Sequence, residues 1–148
     1  MTKIRPATIN DVRAIARIYS LAYPGFEFQA HSRSGWATLT RMSDLLVAEC
    51  YGEVIGFAAI KLRGYGGRTC RVAYIEGVFA RPEEKDITVR PGLLRACQEA
   101  ARRAGYPSVM VLSEQAEVEF FRGAGFEILG AEYGQQKCCY LAKKIGNC

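Results

Sequence analysis

Glu76 is the only charged residue between Val72 and Ala80. Its neighbours form two largely apolar alternating sets, Val72, Tyr74, Val78 and Ala80 on one side and Ala73, Ile75 and Phe79 on the other. A carboxylate on such a strand is expected to lose water, which raises its pKa toward the working range of a general base for an amine nucleophile. The other reading of the same residue is a structural ion partner of an arginine or a backbone N–H. Further along, Lys85-Asp86-Ile87-Thr88-Val89-Arg90 leads into a helical run. A helix N-terminus offers unbonded N–H groups and partial positive charge, so a loop at that place can hold a phosphate. His31, in the aperiodic stretch Phe26 to Arg33, reads as a surface imidazole, and Phe26, Glu27 and Phe28 could wall a site for a cationic amine. The six cysteines (Cys50, Cys70, Cys97, Cys138, Cys139, Cys148) include no CxxC pair, and there is one histidine, so they read as reduced, buried thiols with Cys148 the most open to oxidation.

The elements that must position these groups follow from periodicity. Lys3 to Ala7 is short and extended. Thr8 with Asp11 three residues on is a capping-box variant, and Val12, Ile15, Ala16, Tyr19 and Ala22 recur at helical spacing until Pro24-Gly25. Trp36 to Met42 reads as a short helix. Leu45 to Cys50 and Val54 to about Arg63 form a hairpin around Tyr51-Gly52-Glu53. Cys70 to Ala80 reads as a strand buried on both faces. Leu93 to Ala104 is an amphipathic helix, ended by Gly105-Tyr106-Pro107. Ser108 to Ser113 is a strand, Ala116 to Ala124 a helix capped by Gly125, and Glu127 to Tyr133 and Lys137 to Lys144 are closing strands. The order predicts an α/β fold with a mixed sheet and helices on both faces.

Composition narrows the class. The 148 residues fit one domain spanning 1–148, and 49% hydrophobic against 24% charged residues supports a core and argues against disorder. No apolar stretch approaches the roughly 20 residues of a membrane span. The N-terminus has no apolar segment behind its positive charges, which points to the cytoplasm. The net charge of +5 is interspersed, without a basic run, so nucleic acid is the weakest of the partner classes.

Several strings, taken in order, resemble the GCN5-related N-acetyltransferase (GNAT) family over nearly the whole chain. Ile4-Arg5-Pro6-Ala7-Thr8 with Asp11 resembles its opening strand and helix, and Ala48 to Gly56 its hairpin with V-I-G. Tyr74 to Pro82 resembles its fourth strand, and Gly125-Phe126-Glu127 its G-F-E after the last helix. The resemblance implies a sheet of about six or seven strands with the fourth and fifth splayed. It implies an acetyl-CoA co-substrate, with direct transfer of the acetyl group to a primary amine and Glu76 as base. The pantetheine would pair with the backbone of Val78, Phe79 and Ala80, the pyrophosphate would meet Lys85, Asp86, Ile87, Thr88, Val89 and Arg90, and Phe121 would lie beside the thiol.

This sequence departs from the family pattern at three places. The family loop [QR]-x-x-G-x-[GA] has Thr88 and Arg90 at its two small positions, and Pro91 follows. The usual acid, a tyrosine, aligns with Phe121, and a CoA-contacting asparagine aligns with Glu114. No spacing selects Tyr133 or Tyr140 as a substitute acid. These departures set up the alternative, a catalytically degenerate protein of the same fold that binds a ligand or partner. The amine acceptor, the acyl group and the oligomeric state, a homodimer included, are not encoded in any motif.

Overall fold

A computed structural model describes residues 1–23, 40, 43–65, 71–130 and 138–146. Apart from Thr40, which is helical, the expected helix at Trp36 to Met42 lies outside the described residues, as do His31, the Phe26 to Phe28 wall and Tyr133. The strands are β1 (Thr2–Pro6), β2 (Asp44–Cys50), β3 (Glu53–Tyr65), β4 (Val72–Ala80), β5 (Ser108–Glu114), β6 (Glu127–Ile128) and β7 (Cys138–Lys144). Among the described residues the helices given a full range are α1 (Val12–Ala22), α2 (Val89–Arg103) and α3 (Val118–Gly123). The strands make one seven-stranded sheet in the order β1-β2-β3-β4-β5-β7-β6. Parallel and antiparallel pairings coexist in it, β4 with β5 being parallel and β1 with β2 antiparallel.

The chain forms two compact units, Met1–Lys61 with Gly77–Cys97, and Leu62–Glu76 with Gln98–Cys148. In the first, Tyr51 and Gly52 both have positive φ, 51° and 79°, as a two-residue hairpin turn between right-twisted strands requires. The β2–β3 register slips by one residue after Ala48↔Gly56, so that Ile55 bulges from the ladder. Ile15, Ala16 and Ile18 of α1 pack with Leu45, Val47, Phe57 and Ala59 in a buried cluster that Tyr19 and Phe79 flank. The opposite face of β3 meets Val89 and Leu93 at the start of α2. In this unit, then, helices cover both faces of the sheet.

Asp11 closes the entry to α1. Its carboxylate accepts the Thr8 backbone N–H at 2.7 Å and two guanidinium bonds from Arg5 at 2.8 and 2.9 Å. Arg5 also reaches Glu49 on β2 at 3.4 Å. This buried carboxylate is held below the usual aspartate range, first by the Arg5 side-chain bonds, and the Arg5 guanidinium is raised in turn.

In the second unit, β5 pairs antiparallel with β7 from Ser108↔Lys144 to Glu114↔Cys138. Lys143 donates to the Ala124 carbonyl at 2.8 Å and to Gln98 Oε1 at 3.0 Å, placing a cation at the C-terminal end of α3. Gly125, at φ 96°, follows as the expected cap residue. The strand expected from Glu127 to Tyr133 is shorter within the described residues. It ends at Ile128, Leu129 adds one bond to Tyr140, and Gly130 bends the chain. Of the four described cysteines, all free, only Cys97 is buried, with its thiol pushed up to about 12 by desolvation. The expectation of uniformly buried thiols is therefore corrected for Cys50, Cys138 and Cys139, which are half-buried.

The Asp11 pair sets a pH dependence with a definite sign. A carboxylate whose folded pKa is depressed contributes stability above its unfolded pKa, and that contribution disappears as pH falls toward the folded value. Asp11→Asn should cost about 1.5–3 kcal/mol near neutral pH, the range for a bond to a charged group. In urea titrations the gap to the parent should narrow below about pH 4.

Candidate active site

β4 is the strand on which the sequence-predicted residues concentrate. Its pairing with β5 runs through only four positions, from Val72↔Ser108 to Ile75↔Val111, and β4 then continues to Ala80. The parallel ladder therefore stops short of the strand's end, as the expected splay requires. Glu76 is the first residue past the last pair.

One expectation is corrected here. Glu76 is exposed, so the burial expected from its apolar neighbours is absent. Val72 and Tyr74, which share its face and still pair with β5, are only half-buried, whereas Ala73 and Ile75 on the other face are buried. Side chains leave a strand through its faces, so one face of β4 is covered here and the other opens at Glu76.

Backbone polar groups alternate between the two edges of a strand. The Arg81 N–H bonds the Ile55 carbonyl of β3 at 2.9 Å, and the Phe79 carbonyl lies against Gly56 of the same strand. Residues 79 and 81 thus address β3. By alternation, Val78 and Ala80 address the opposite edge, the edge with no β5 pairs at that level. A strand edge of this kind offers an acceptor and a donor to any extended ligand with amides of its own. Val78 is buried, while Phe79 and Ala80 are half-buried. The Phe79 ring packs on Phe57, Tyr19 and Tyr23.

The segment after β4 is tied down by charge. Arg81 pairs with Glu53 at 2.8 Å and with Glu84 at 2.9 Å, partners that the sequence reading missed although the Arg81–Glu84 spacing hinted at one. Lys85, Asp86, Ile87 and Thr88 are exposed. The Asp86 carboxylate accepts the Thr88 N–H at 2.9 Å and the Thr88 hydroxyl at 2.6 Å, and these bonds hold it below the usual aspartate range.

The helix begins earlier than expected. α2 starts at Val89 instead of Leu93, so Val89 and Arg90 are its first turn and not loop. Pro91 does not prevent this, because an N–H in the first turn has no intrahelical acceptor and its loss removes no bond. The first bond of the regular ladder is Gly92 N–H to the Thr88 carbonyl, at 3.0 Å. Val89 is buried, and half-buried Arg90 donates its Nε–H to the Val78 carbonyl at 3.1 Å. The structure thus brings Arg90 onto β4, a contact for which the sequence carries no signal.

Phe121 belongs to the second unit. It is buried among Phe120 and Phe126 with ring centroids 5.0 and 5.6 Å away, a packing role with no proton to give. Glu114, at the end of β5, is exposed, and Tyr140 on β7 is half-buried. Among the described residues no group of His, Cys, Asp and Glu could hold a metal ion, and no helix is long and apolar enough to cross a membrane. A surface groove of about 620 Å³ at Glu119, Arg122, Phe126 and Ile128 includes none of the predicted site residues.

A strand edge that opens beside a helix start agrees with the sequence comparison, in which the family described as an acetyltransferase (GNAT) domain matches residues 3–129. The chain belongs to the GNAT family. Solved GNAT-fold structures agree in architecture. Ribosomal-protein-alanine N-acetyltransferase from Brucella melitensis superposes with a TM-score of 0.76 at 24% identity, covering 96% of this chain and 99% of that one. Phosphinothricin acetyltransferase from Sinorhizobium meliloti, solved in complex with AcCoA, gives 0.74 at 19% identity, covering 98% and 89%. An N-acetyltransferase from Staphylococcus aureus gives 0.75 at 16%, covering 98% and 99%. At these identities the likeness is one of fold. No curated protein matches the chain in sequence.

Within this GNAT fold the approach of β3 to α2 is set by Gly56. A Cβ there would stand 2.7 Å from the Phe79 carbonyl oxygen, 3.0 Å from Val89 and 3.1 Å from Leu93. Gly56→Ala should therefore destabilise the protein by about 1–3 kcal/mol, the usual cost of overpacking. Amide exchange should quicken at Val89 to Leu93 more than in α1, and a variant as stable as the parent would show that the approach is not close.

Proposed function

We propose that this chain, acting as one domain over residues 1–148, is an N-acetyltransferase that moves an acetyl group from acetyl-CoA directly to a primary amine. The observation that carries the reading is the edge of β4. Val78 and Ala80 lie past the last β5 pair and address the side away from β3, where a pantetheine arm can add as a short strand. The donor is the one that the S. meliloti relative binds.

Acetyl-CoA supplies an activated thioester. The chain's own groups do the rest. Val78 accepts from, and Ala80 donates to, the amides of the arm and so fix its register. Phe79, between them, is locked by Phe57 and keeps the strand from twisting away. The Lys85 to Arg90 segment faces the phosphates, with Lys85 and Arg90 as its cations. Glu76, two residues before Val78 on the same strand and exposed, is the carboxylate that takes the proton from the amine as the new amide bond forms. Phe121 cannot protonate the departing sulfur, so CoA leaves as thiolate, which its thiol acidity allows. The amine's identity is left to the residues that bind it.

A second reading has its own observation. The Asp86 carboxylate already accepts the Thr88 N–H, one of the donors a pyrophosphate would use, and Phe121 stands where the family keeps its acid. A catalytically degenerate GNAT-fold protein that binds a ligand or partner would look like this.

Glu76→Gln separates the two. With Glu76 as base, acetyl transfer to a reactive amine should fall about 10²–10⁴-fold with donor affinity nearly unchanged. Because the residue is exposed, its unfolding free energy should stay within about 1 kcal/mol of the parent, the range of an exposed ion pair. Transfer at the parental rate would remove Glu76 from the mechanism, and absence of transfer in the parent itself would favour the binding module.

A further inference from the structure

We infer that the acceptor is an aliphatic amine carrying a second cationic group, and that Glu114 is the residue that selects it. This rests on the acetyl-transfer reading above and gives its acceptor a class. Residues two apart on a strand share a face, as do residues directly opposite each other on neighbouring strands. The pairs Tyr74↔Met110 and Leu112↔Tyr140 therefore put Tyr74, Glu76, Met110, Leu112, Glu114 and Tyr140 on one face of the sheet in the second unit. All of them are half-buried or exposed, Leu112 at 38%, while Ile75, Val109, Val111 and Leu141 on the other face are buried. A single exposed leucine is common on any protein. Here it lies between Met110 and Tyr140 in an apolar strip, with the carboxylates of Glu76 and Glu114 at the strip's rim.

Carrying the β4–β5 register one residue past Ile75↔Val111 sets Glu76 level with Leu112, and Glu114 lies two residues further along β5. With strands about 4.8 Å apart and a rise of about 3.3 Å per residue, the two Cα atoms stand about 8 Å apart where the strands lie side by side, and further apart where they part. The line between them crosses Leu112. A ligand that bridges them has a charge at each end and a short apolar middle, as an aliphatic diamine does. Among the described residues the Glu114 side chain has no hydrogen bond or ion pair. The one lysine or arginine that β4, β5 and β7 place on its face is Lys144, at the far end beside Ser108. The field at the Glu114 end is therefore that of two carboxylates, which attracts a second ammonium and repels an acceptor that ends in a carboxylate. One amine forms its N–C bond as the C–S bond of the thioester breaks and gives its proton to Glu76, while the other stays an ammonium against Glu114.

Acetyl transfer from acetyl-CoA by the full chain to diaminobutane, butylamine and aminobutyrate, all at one pH, reads the selection. The parent should favour diaminobutane over butylamine by about tenfold in kcat/KM, the factor that 1.4 kcal/mol represents, beyond the statistical gain of two equivalent ends. Aminobutyrate should be the poorest of the three. Glu114→Gln should bring the two amines level through a rise in the KM of diaminobutane. Glu114→Lys should turn the preference toward aminobutyrate, a gain that loss of folding cannot mimic. Glu127→Gln takes an equal charge from β6, on the far side of β7, and should leave the preference as it is in the parent. The assignment is overturned, with acetyl transfer left standing, by a parent without the preference, by an equal fall for both amines in Glu114→Gln, by a fall traced to weaker CoA binding, or by an equal loss of preference in Glu127→Gln. A parent that acetylates none of the amines overturns the acetyl-transfer reading and the assignment together.

Discussion

A strand must satisfy the backbone groups on both of its edges, and β4 loses its partner on one edge while keeping it on the other. The last pair with β5 is Ile75↔Val111, yet Arg81 is still bonded to Ile55 of β3 beyond the end of the strand. The remaining positions, Val78 and Ala80, turn their amides to the edge without β5 pairs. Leaving a buried backbone group unbonded costs about 1–3 kcal/mol, so something must meet that edge. In the free protein it is the Arg90 side chain, and in the proposed complex it is the ligand.

The rest of the first unit holds this strand in place. The bulge at Ile55 and the absent side chain of Gly56 let β3 run close to the Phe79 carbonyl and to Val89 and Leu93. The Phe57–Phe79 stack joins β4 to the cluster under α1. Arg81, bridging Glu53 and Glu84, anchors the chain as it leaves the strand. Each contact is ordinary. Their common effect is that a short stretch of backbone stays rigid though one of its edges lacks a strand, as binding with little loss of entropy requires.

Much of this was legible in residue type and spacing. Thr8 and Asp11 marked the start of α1, Tyr51-Gly52 the hairpin, and Gly125 the end of α3, because local chemistry decides those places. The start of α2 was misplaced by four residues because its apolar periodicity was counted from Leu93, whereas the first turn from Val89 was read as loop. The exposure of Glu76 was not legible at all. It depends on how far each face of β4 is covered, a long-range fact that alternation within one strand does not contain. The Arg90–Val78 bond was hidden for the same reason. A loop pattern shows that a glycine is missing, and only the structure shows which carbonyl the replacement side chain finds.

The central claim is that the free edge of β4 receives the donor, and amide hydrogen exchange of the full chain with and without acetyl-CoA tests it most directly. Ala80, whose N–H addresses the open edge, should become protected on binding, while Arg81, already bonded to Ile55, should exchange as before. Saturating acetyl-CoA that protects other amides and leaves Ala80 unchanged would contradict the account.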